Sequence, residues 1–284
     1  MKKILIFFLI IIVLIAFLSL ILAITQKVSI GEKKVALIRI EGIILDSRKV
    51  IGELREYSKN SSVKAIILRV DSPGGGVAPA QEIYDEILKL REKKKIIVSM
   101  GSVAASGGYY ISSPADKIVA NPGTLTGSIG VIMELPNFEG LMEKIGVKTQ
   151  IIKSGKHKDI ASAFRTMTKE ERKILQAVLD DVHDQFIRAI SETRNIEYEK
   201  IKELADGRIF TGKKAKELGL VDELGNLEYA IKLAGELSGI EGEPRVISKK
   251  EKFSLWDILF GGDFPKELIK DGFPTVRLKY LLTQ

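Results

Sequence analysis

The sequence predicts an α/β domain whose strands are mostly parallel. β-branched segments at residues 35–44, 63–70 and 95–100 alternate with segments of helical spacing, and such alternation at short intervals is typical of parallel sheets. Two glycine-rich turns also follow predicted strands and precede predicted helices. Because sites in parallel sheets form at the carboxyl ends of the strands, we expect the two turns to lie close in space.

The elements of this domain follow one another closely along the chain. Strands are predicted from β-branched, alternating segments, and helices from apolar residues that recur on one helical face. In the sequence TKEE, Thr168 and Glu171 form a capping pattern at the start of a long helix. In order, we predict a strand at 35–44, a helix at 47–58, a strand at 63–70, a helix at 78–92, a strand at 95–100, a short helix ending at 113, a strand at 117–120, a helix at 168–193, a turn, short helix and strand within 206–222, and apolar islands at 253–260 and 276–282.

The N-terminal segment is predicted to be a membrane anchor. Residues 4–24 are apolar apart from Ser19, and a helix of that length spans roughly 30 Å, the hydrocarbon core of a bilayer. A cleaved signal peptide is the alternative, but its apolar region is usually about 7–15 residues long. Lys2 and Lys3 orient the N-terminus toward the cytoplasm and the main domain outside. The expected parts are a cytoplasmic tail at 1–3, the transmembrane anchor at 4–24, a linker at 25–34, the main domain at 35–245 and a C-terminal segment at 246–284.

The composition excludes several classes of function. The 284 residues include no cysteine and only 2 histidines, which excludes cysteine chemistry and makes a transition-metal site an unfavourable hypothesis. The net charge is +7 with the basic residues scattered along the chain, so we expect a solvated surface and no nucleic-acid partner. The sequence contains neither a Walker loop nor an H-E-x-x-H zinc pattern.

The stretch MGSVAASGGYYIS contains a candidate nucleophile, Ser106. A nucleophilic serine needs donors for the oxyanion, and glycine leaves the backbone amide unobstructed. Gly107 follows the serine directly, and Gly75 lies in the other glycine-rich turn, so each could supply one amide. The alternative is that the small residues only allow a strand and a helix to pack closely.

The residues alone leave the base open. His183 lies among acidic residues of a predicted helix, and His157 lies in KSGKHKD. A Ser-His-Asp triad lacks support because AASGG does not have the first glycine of the G-x-S-x-G elbow. Lysine is the other base used with serine, provided that burial lowers its pKa. The S-x-x-K match at Ser61–Lys64 has no companion motif, and we attribute it to chance.

Five blocks of sequence, with the apolar N-terminal run before them, resemble the signal peptide peptidase A (SppA) family in its short, single-repeat form. The blocks are DSPGGG, MGSVAASGGYYIS, NPGTLTGSIGVI, KSGKHKDIASAFRTMTKEER and DGRIFTGKKAKELGLVD. The resemblance covers roughly residues 35–245 and implies a membrane-bound serine protease of the ClpP/crotonase fold, with repeated β-β-α units. The matching positions are Ser106 and Lys158 for the catalytic pair, Ser128 for a serine that hydrogen-bonds the lysine, and Gly75 and Gly107 for the oxyanion amides.

The resemblance also implies how such an enzyme works. It would need no metal or cofactor, and its substrates would be remnant signal peptides and other unfolded apolar peptides. In this family the lysine comes from a neighbouring protomer or repeat, so a single-repeat chain is expected to form a homo-oligomer with shared active sites. His157 stands where the family commonly has tyrosine, a substitution that does not touch the catalytic pair. The donor glycine within DSPGGG is Gly75 or a glycine one position away.

Three rival functions remain for a chain of this kind. A crotonase-type enzyme would use the same oxyanion hole on acyl-CoA, although an extracytoplasmic enzyme would meet little CoA. A related membrane protease would cut specific membrane proteins. A non-catalytic ring would organise membrane partners, and failure of a serine-directed probe to label the folded oligomer would favour it.

Overall fold

The computed structural model describes residues 10–19, 33–249 and 279–281. Residues 10–19 are helical (α1). The strands are β1 (Lys34–Glu41), β2 (Val63–Ser72), β3 (Gly74–Gly76), β4 (Lys95–Ala105), β5 (Lys117–Ala120), β6 (Leu125–Gly127), β7 (Ile209–Thr211), β8 (Glu223–Leu224), β9 (Arg245–Ile247) and β10 (Lys279–Leu281). The further helices are α2 (Arg48–Lys59), α3 (Val77–Arg91), α4 (Gly107–Ser112), α5 (Glu139–Lys144), α6 (Lys169–Arg194), α7 (Tyr198–Leu204), α8 (Gly212–Glu217) and α9 (Leu227–Leu237).

The main sheet is mixed but mostly parallel, which confirms the predicted α/β class. Its strand order is β7-β6-β4-β2-β1-β9, and β5 and β8 extend it from β4. The pairs around β4 and β2 are parallel, whereas β6 and β7 pair antiparallel. This arrangement is consistent with the ClpP-like fold, and β4 lies at its centre because it pairs with β2, β5 and β6.

The sheet is covered by helices on both faces. On β2, Ile66 and Leu68 pack into a core cluster with residues of α2, α3 and α6. Ala65 and Ile67, which point to the opposite face, pack into a second cluster with residues of α9. A parallel strand buried on both faces reads as a continuous apolar run, which explains why AIIL was recognisable as a buried strand in the sequence.

Strand β4 extends further than predicted and ends directly before Ser106. The sequence favoured a strand only up to Met100, because Gly101, Ala104 and Ala105 are of residue types that are depleted in strands. The carboxylate of Asp71 on the neighbouring strand accepts the backbone N–H of Val103 at 3.0 Å and supports this extension. A Cβ atom at position 101 would lie 2.6 Å from the carboxyl carbon of Asp71, so Gly101 leaves room for this carboxylate.

The region 206–222 differs from its prediction. Strand β7 precedes helix α8, and the strand expected at the end of the region begins only at Glu223. The side chain of Asp222 takes the place of the strand pairing that was expected there. Its Oδ2 accepts a hydrogen bond from the N–H of Ile118 at 2.7 Å, and the backbone N–H of Asp222 donates to the carbonyl of Ile118 at 3.0 Å. By contrast, the capping box of Thr168 and Glu171 at the start of α6 is confirmed.

The two ends of the chain are described only in part. Of the expected anchor at 4–24, residues 10–19 are described, and no helix within the described ranges is both long and apolar enough to span a membrane. The apolar island predicted at 253–260 lies outside the described residues. Of the island at 276–282, residues Lys279–Leu281 form β10, which pairs antiparallel with β3.

Candidate active site

Ser106 lies at the sharp turn between β4 and α4. Its backbone has φ 53° and ψ −117°, a conformation that residues other than glycine rarely adopt. The turn is fixed on both sides, because the N–H of Ser106 donates to the carbonyl of Gly127 and its own carbonyl accepts the N–H of Tyr110, both at 2.8 Å. The residue is 1% exposed. A strained serine at a strand-to-helix turn is the arrangement of a nucleophile elbow.

The residues around the turn allow this conformation without the first glycine of the G-x-S-x-G pattern. Ala104 and Ala105 before the serine are fully buried. After it, Gly108 packs against the end of β2, where a Cβ atom would lie only 2.8 Å from the carbonyl oxygen of Ser72. A buried alanine, Ala104, thus stands where the G-x-S-x-G pattern has its first glycine.

The second glycine-rich turn contains β3, and the backbone N–H of one of its glycines points away from Ile44. The carbonyl of Gly74 accepts the N–H of Ile44, and the N–H of Gly76 donates to the carbonyl of Ile44, both at 2.8 Å. Successive residues of a strand direct their polar groups to opposite edges, so the N–H of Gly75 points to the other edge. The N–H of Gly74 bonds the Ser72 hydroxyl at 3.1 Å. Gly75 is thus the glycine of DSPGGG whose amide faces away from Ile44.

The edge to which Gly75 points is occupied by β10. The pairing is antiparallel, with Tyr280 opposite Gly75, Lys279 opposite Gly76 and Leu281 opposite Gly74. A Cβ atom at position 75 would lie 2.1 Å from the carbonyl oxygen of Ile44, so a side chain does not fit there. This edge accepts an extended peptide segment, and only glycine permits the close packing behind it.

Ser128 lies beside Ser106. It follows β6, and the parallel pairing of Ala105 with Gly127 sets the two serines at the ends of neighbouring strands. Ser128 also has a positive φ, 49°, is buried, and donates its N–H to the carbonyl of Arg208 at 2.8 Å. Helix α4, which begins at Gly107, also contacts β3. The structure therefore gathers Ser106 and Ser128 at one end of the sheet, and the two glycine-rich turns lie close together there, as expected from the parallel strands.

Lys158 is not joined to this group within one chain. It lies in an exposed turn, where its backbone N–H donates to the carbonyl of Gly155 at 3.1 Å. Within the described part of the chain, its side chain makes no hydrogen bond or ion pair. Ser106, in contrast, is buried. A base and nucleophile must come within hydrogen-bonding reach, so Lys158 could serve only another chain's serine or move to reach its own.

Neither histidine is bonded to the serine. The Nε2 atom of His157 lies 3.5 Å from Oε1 of Glu170. The other carboxylate oxygen of Glu170 pairs with the ammonium of Lys156 at 2.5 Å. His183 lies within α6, and one ring nitrogen of each histidine is buried without a hydrogen-bond partner among the described residues. Within the same residues, no group of three or more His, Cys, Asp or Glu side chains is arranged to hold a metal ion.

An ion-pair network beside Lys158 was missed in the sequence. The guanidinium of Arg165 pairs with Asp159, which follows Lys158 directly, and with Glu171 of the capping box. These pairs lower the pKa of both carboxyl groups, that of Glu171 to about 2. The capping pattern alone could have suggested a basic partner for Glu171, but no pattern identified Arg165.

Comparison with known proteins places the chain in a family. A family model described as Peptidase family S49 matches residues 89–241, and one described as Clp protease matches residues 38–124. A protein of Synechocystis sp. named "Putative protease" is 47% identical over 211 residues, covering 74% of this chain and 76% of that protein. The chain belongs to peptidase family S49.

Other relatives carry names from the family that the motifs predicted. "Putative signal peptide peptidase SppA" of Enterococcus faecium is 37% identical over 221 residues, covering 73% of this chain and 64% of that protein. "Serine protease SPPA, chloroplastic" of Arabidopsis thaliana is 34% identical over 248 residues, covering 81% of this chain and 37% of that protein. The resemblance to the SppA family is confirmed, although this chain spans less than two thirds of these two relatives.

Proposed function

We propose that the protein is a serine endopeptidase in which Ser106 is the nucleophile and Lys158 the general base. The observation that carries the proposal is the strained, fixed backbone of Ser106 at the junction of β4 and α4. Strain of this kind persists only where the surroundings impose it, and it is concentrated at functional sites. Membership of a peptidase family supports the same assignment.

The mechanism is acyl transfer. Neutral Lys158 takes the hydroxyl proton of Ser106 while the serine Oγ attacks a peptide carbonyl carbon. The amides of Gly75 and Gly107 hold the resulting oxyanion. Protonated Lys158 then gives its proton to the leaving amine, and the acyl-enzyme forms. A water molecule then gives a proton to the same lysine and attacks the acyl carbon. The bond from this carbon to the serine Oγ breaks, the acid is released, and the lysine returns the proton to Oγ. A hydrogen bond from Ser128 orients the lysine.

The substrate binds as an extended strand on the edge of β3 to which Gly75 points, in place of β10. The pairing of β10 with Gly74–Gly76 supports this mode, because it is the hydrogen-bonding pattern that an added peptide strand would form. Recognition through the backbone tolerates many sequences. Remnant signal peptides and other unfolded apolar peptides fit such a site, and the name of the Enterococcus faecium relative points to the same substrates.

The active site is shared between chains of a homo-oligomer. The exposed position of Lys158 and the buried position of Ser106 within one chain support this arrangement. The segment that precedes the lysine exposes large apolar side chains, which suits an interface between copies. These side chains are Phe138, Leu141, Ile145, Val147, Ile151 and Ile152.

The enzyme acts at the cell membrane. The apolar run at residues 4–24 is long enough to serve as a single-pass anchor, and Lys2 and Lys3 would keep the N-terminus in the cytoplasm. The catalytic domain would then lie outside, where signal peptidase leaves its products. Protease protection of the full-length chain in sealed vesicles tests this orientation: only the N-terminal tail and the anchor should be protected in right-side-out vesicles.

Labelling with a fluorophosphonate probe, alongside hydrolysis of an apolar fluorogenic peptide, tests the nucleophile. The full-length chain should be labelled and active, and Ser106→Ala should lose both properties. Ser102→Ala is the matched control, because Ser102 is an exposed serine of the same strand. Labelling of Ser106→Ala at the wild-type rate would contradict the proposal.

A further inference from the structure

We propose that Arg165 is a positioning residue that fixes the turn bearing Lys158 to the first turn of helix α6. The inference rests on the proposed function, because it assumes that Lys158 is the base. Within the described residues, Arg165 makes no hydrogen bond to Ser106 or Lys158; its bonds go to Asp159, Thr166 and Glu171. It acts through Asp159, the residue that follows the lysine.

On the side of the turn, Arg165 holds both the side chain and the backbone of Asp159. Its Nε donates to Oδ2 of Asp159 at 2.8 Å, and its Nη2 donates to the carbonyl oxygen of Asp159 at 3.1 Å. Lys153 donates to the other carboxylate oxygen at 2.5 Å. The backbone next to Lys158 is therefore held from two directions.

On the side of the helix, Arg165 bonds the capping residue Glu171. Its Nη1 donates to Oε2 of Glu171 at 2.9 Å, and its Nη2 donates to Oε1. Glu171 in turn accepts the N–H of Thr168 at 2.9 Å as part of the capping box. Helix α6 is 26 residues long, so the turn is tied to a long and regular element.

The burial of this network indicates that it stays formed. The side chain of Arg165 is 26% exposed, that of Asp159 10% and that of Glu171 5%. A guanidinium presents donors in a planar fork that can serve two carboxylates and a carbonyl together, whereas a lysine ammonium cannot. The other titratable groups that face the turn are Lys153, Lys156, His157 and Glu170.

A fixed turn matters because the lysine side chain itself is not held. Within the described chain, Lys158 has no side-chain partner, so its backbone is the part that the chain can place. In the same turn, Ala161 has a φ of 66°, a conformation that persists only where the surroundings impose it. Misplacing a catalytic group by about 1 Å can cost about 100-fold in rate.

The test measures kcat and KM for peptide hydrolysis by the full-length chain and four variants. Arg165→Gln removes the guanidinium group, and Arg165→Lys keeps the positive charge without the planar set of donors. Asp159→Asn weakens the bond between Arg165 and the turn that bears Lys158, while the ion pair of Arg165 with Glu171 remains. Arg188→Gln is the matched control, since Arg188 makes its ion pair with Asp184 of its own helix, α6. Thermal unfolding and oligomer size are recorded for each variant.

We expect Arg165→Gln to lower kcat roughly 10- to 100-fold while KM changes less than about twofold. Arg165→Lys should not restore kcat, Asp159→Asn should lower it in the same way, and Arg188→Gln should match the wild type. If Arg165→Gln does not fold, Asp159→Asn decides. Wild-type kcat in Asp159→Asn, rescue by Arg165→Lys, or a change in KM alone would overturn the inference.

Lys158→Ala, measured in parallel, separates this inference from the proposed function. If Lys158→Ala is inactive and the Arg165 and Asp159 variants are fully active, the base stands and the positioning role fails. If Lys158→Ala is fully active, the proposed base is wrong, and the inference fails with it.

Discussion

The backbone N–H of Ser106 donates to the carbonyl oxygen of Gly127 at 2.8 Å, and this bond sets Ser106 directly beside Ser128. Both serines have a positive φ, 53° and 49°. Two strained, buried serines therefore lie at the ends of the adjacent parallel strands β4 and β6.

Substitution of Ser128 separates activity from stability. Ser128→Gly should relieve backbone strain, because glycine adopts a positive φ without penalty, and it should raise the free energy of unfolding by about 1 kcal/mol. The same change removes the hydroxyl proposed to orient Lys158, so kcat should fall about 10-fold or more. Urea unfolding and peptide hydrolysis measure the two effects. A variant that is more stable and fully active would contradict the role of Ser128.

Gly75→Ala should abolish activity. The new Cβ atom would meet the carbonyl of Ile44 at 2.1 Å, so β3 must move and its amide would no longer face the substrate. We expect a loss of kcat/KM of at least about 100-fold, as for removal of an oxyanion donor. Gly52→Ala on helix α2 is the control, because nothing lies within 4 Å of its Cβ position. Near-normal activity of Gly75→Ala would show that this amide is dispensable.

The C-terminal strand should compete with substrate for the edge of β3. Tyr280→Pro removes a backbone N–H opposite Gly75, so it should free this edge and lower KM for peptides without changing kcat. Tyr280→Ala, which keeps the backbone donor, serves as the control. Steady-state kinetics of the two variants decide the matter: equal KM values would mean that β10 does not obstruct binding.

The contribution of Glu171 to stability should disappear in acid. Its pKa is lowered from 4.5 to about 2, chiefly by the hydrogen bonds from Arg165. A depressed pKa in the folded state stabilises the fold above the unfolded pKa, and this effect is lost as the pH falls through the folded value. Urea unfolding of the wild type and Glu171→Gln should therefore differ most above about pH 4.5 and converge toward pH 2. A difference that is independent of pH would contradict this assignment.

Much of the fold could be predicted from local sequence. The strand at Lys117–Ala120 and the capped start of α6 agree with the structure, because alternation and capping are encoded within a few neighbouring residues. The extension of β4 could not be predicted, since it depends on the carboxylate of Asp71, which belongs to another strand. The structure just before Asp222, where a strand was expected, could not be predicted either. There the side chain of Asp222 takes the place of the backbone hydrogen bonds between paired strands.

The sequence indicated the structural role of some residues of the candidate site but not of others. The glycines around Ser106 indicated a close approach, and the structure gives the reason: Gly108 packs on the carbonyl of Ser72. The link from Arg165 to the turn of Lys158 joins residues that no periodic pattern relates. Lys158 was indicated as the base only by the resemblance, and the structure places it in an exposed turn while Ser106 is buried.

Mixing two inactive variants tests the central claim most directly. Ser106→Ala keeps an intact Lys158, and Lys158→Ala keeps an intact Ser106, so a mixed oligomer contains complete sites only if the pair is shared between chains. Each variant alone should be inactive, and co-expression of both, with assembly in one oligomer verified by two affinity tags, should restore peptide hydrolysis. Verified mixed oligomers without activity would contradict a shared Ser106–Lys158 site.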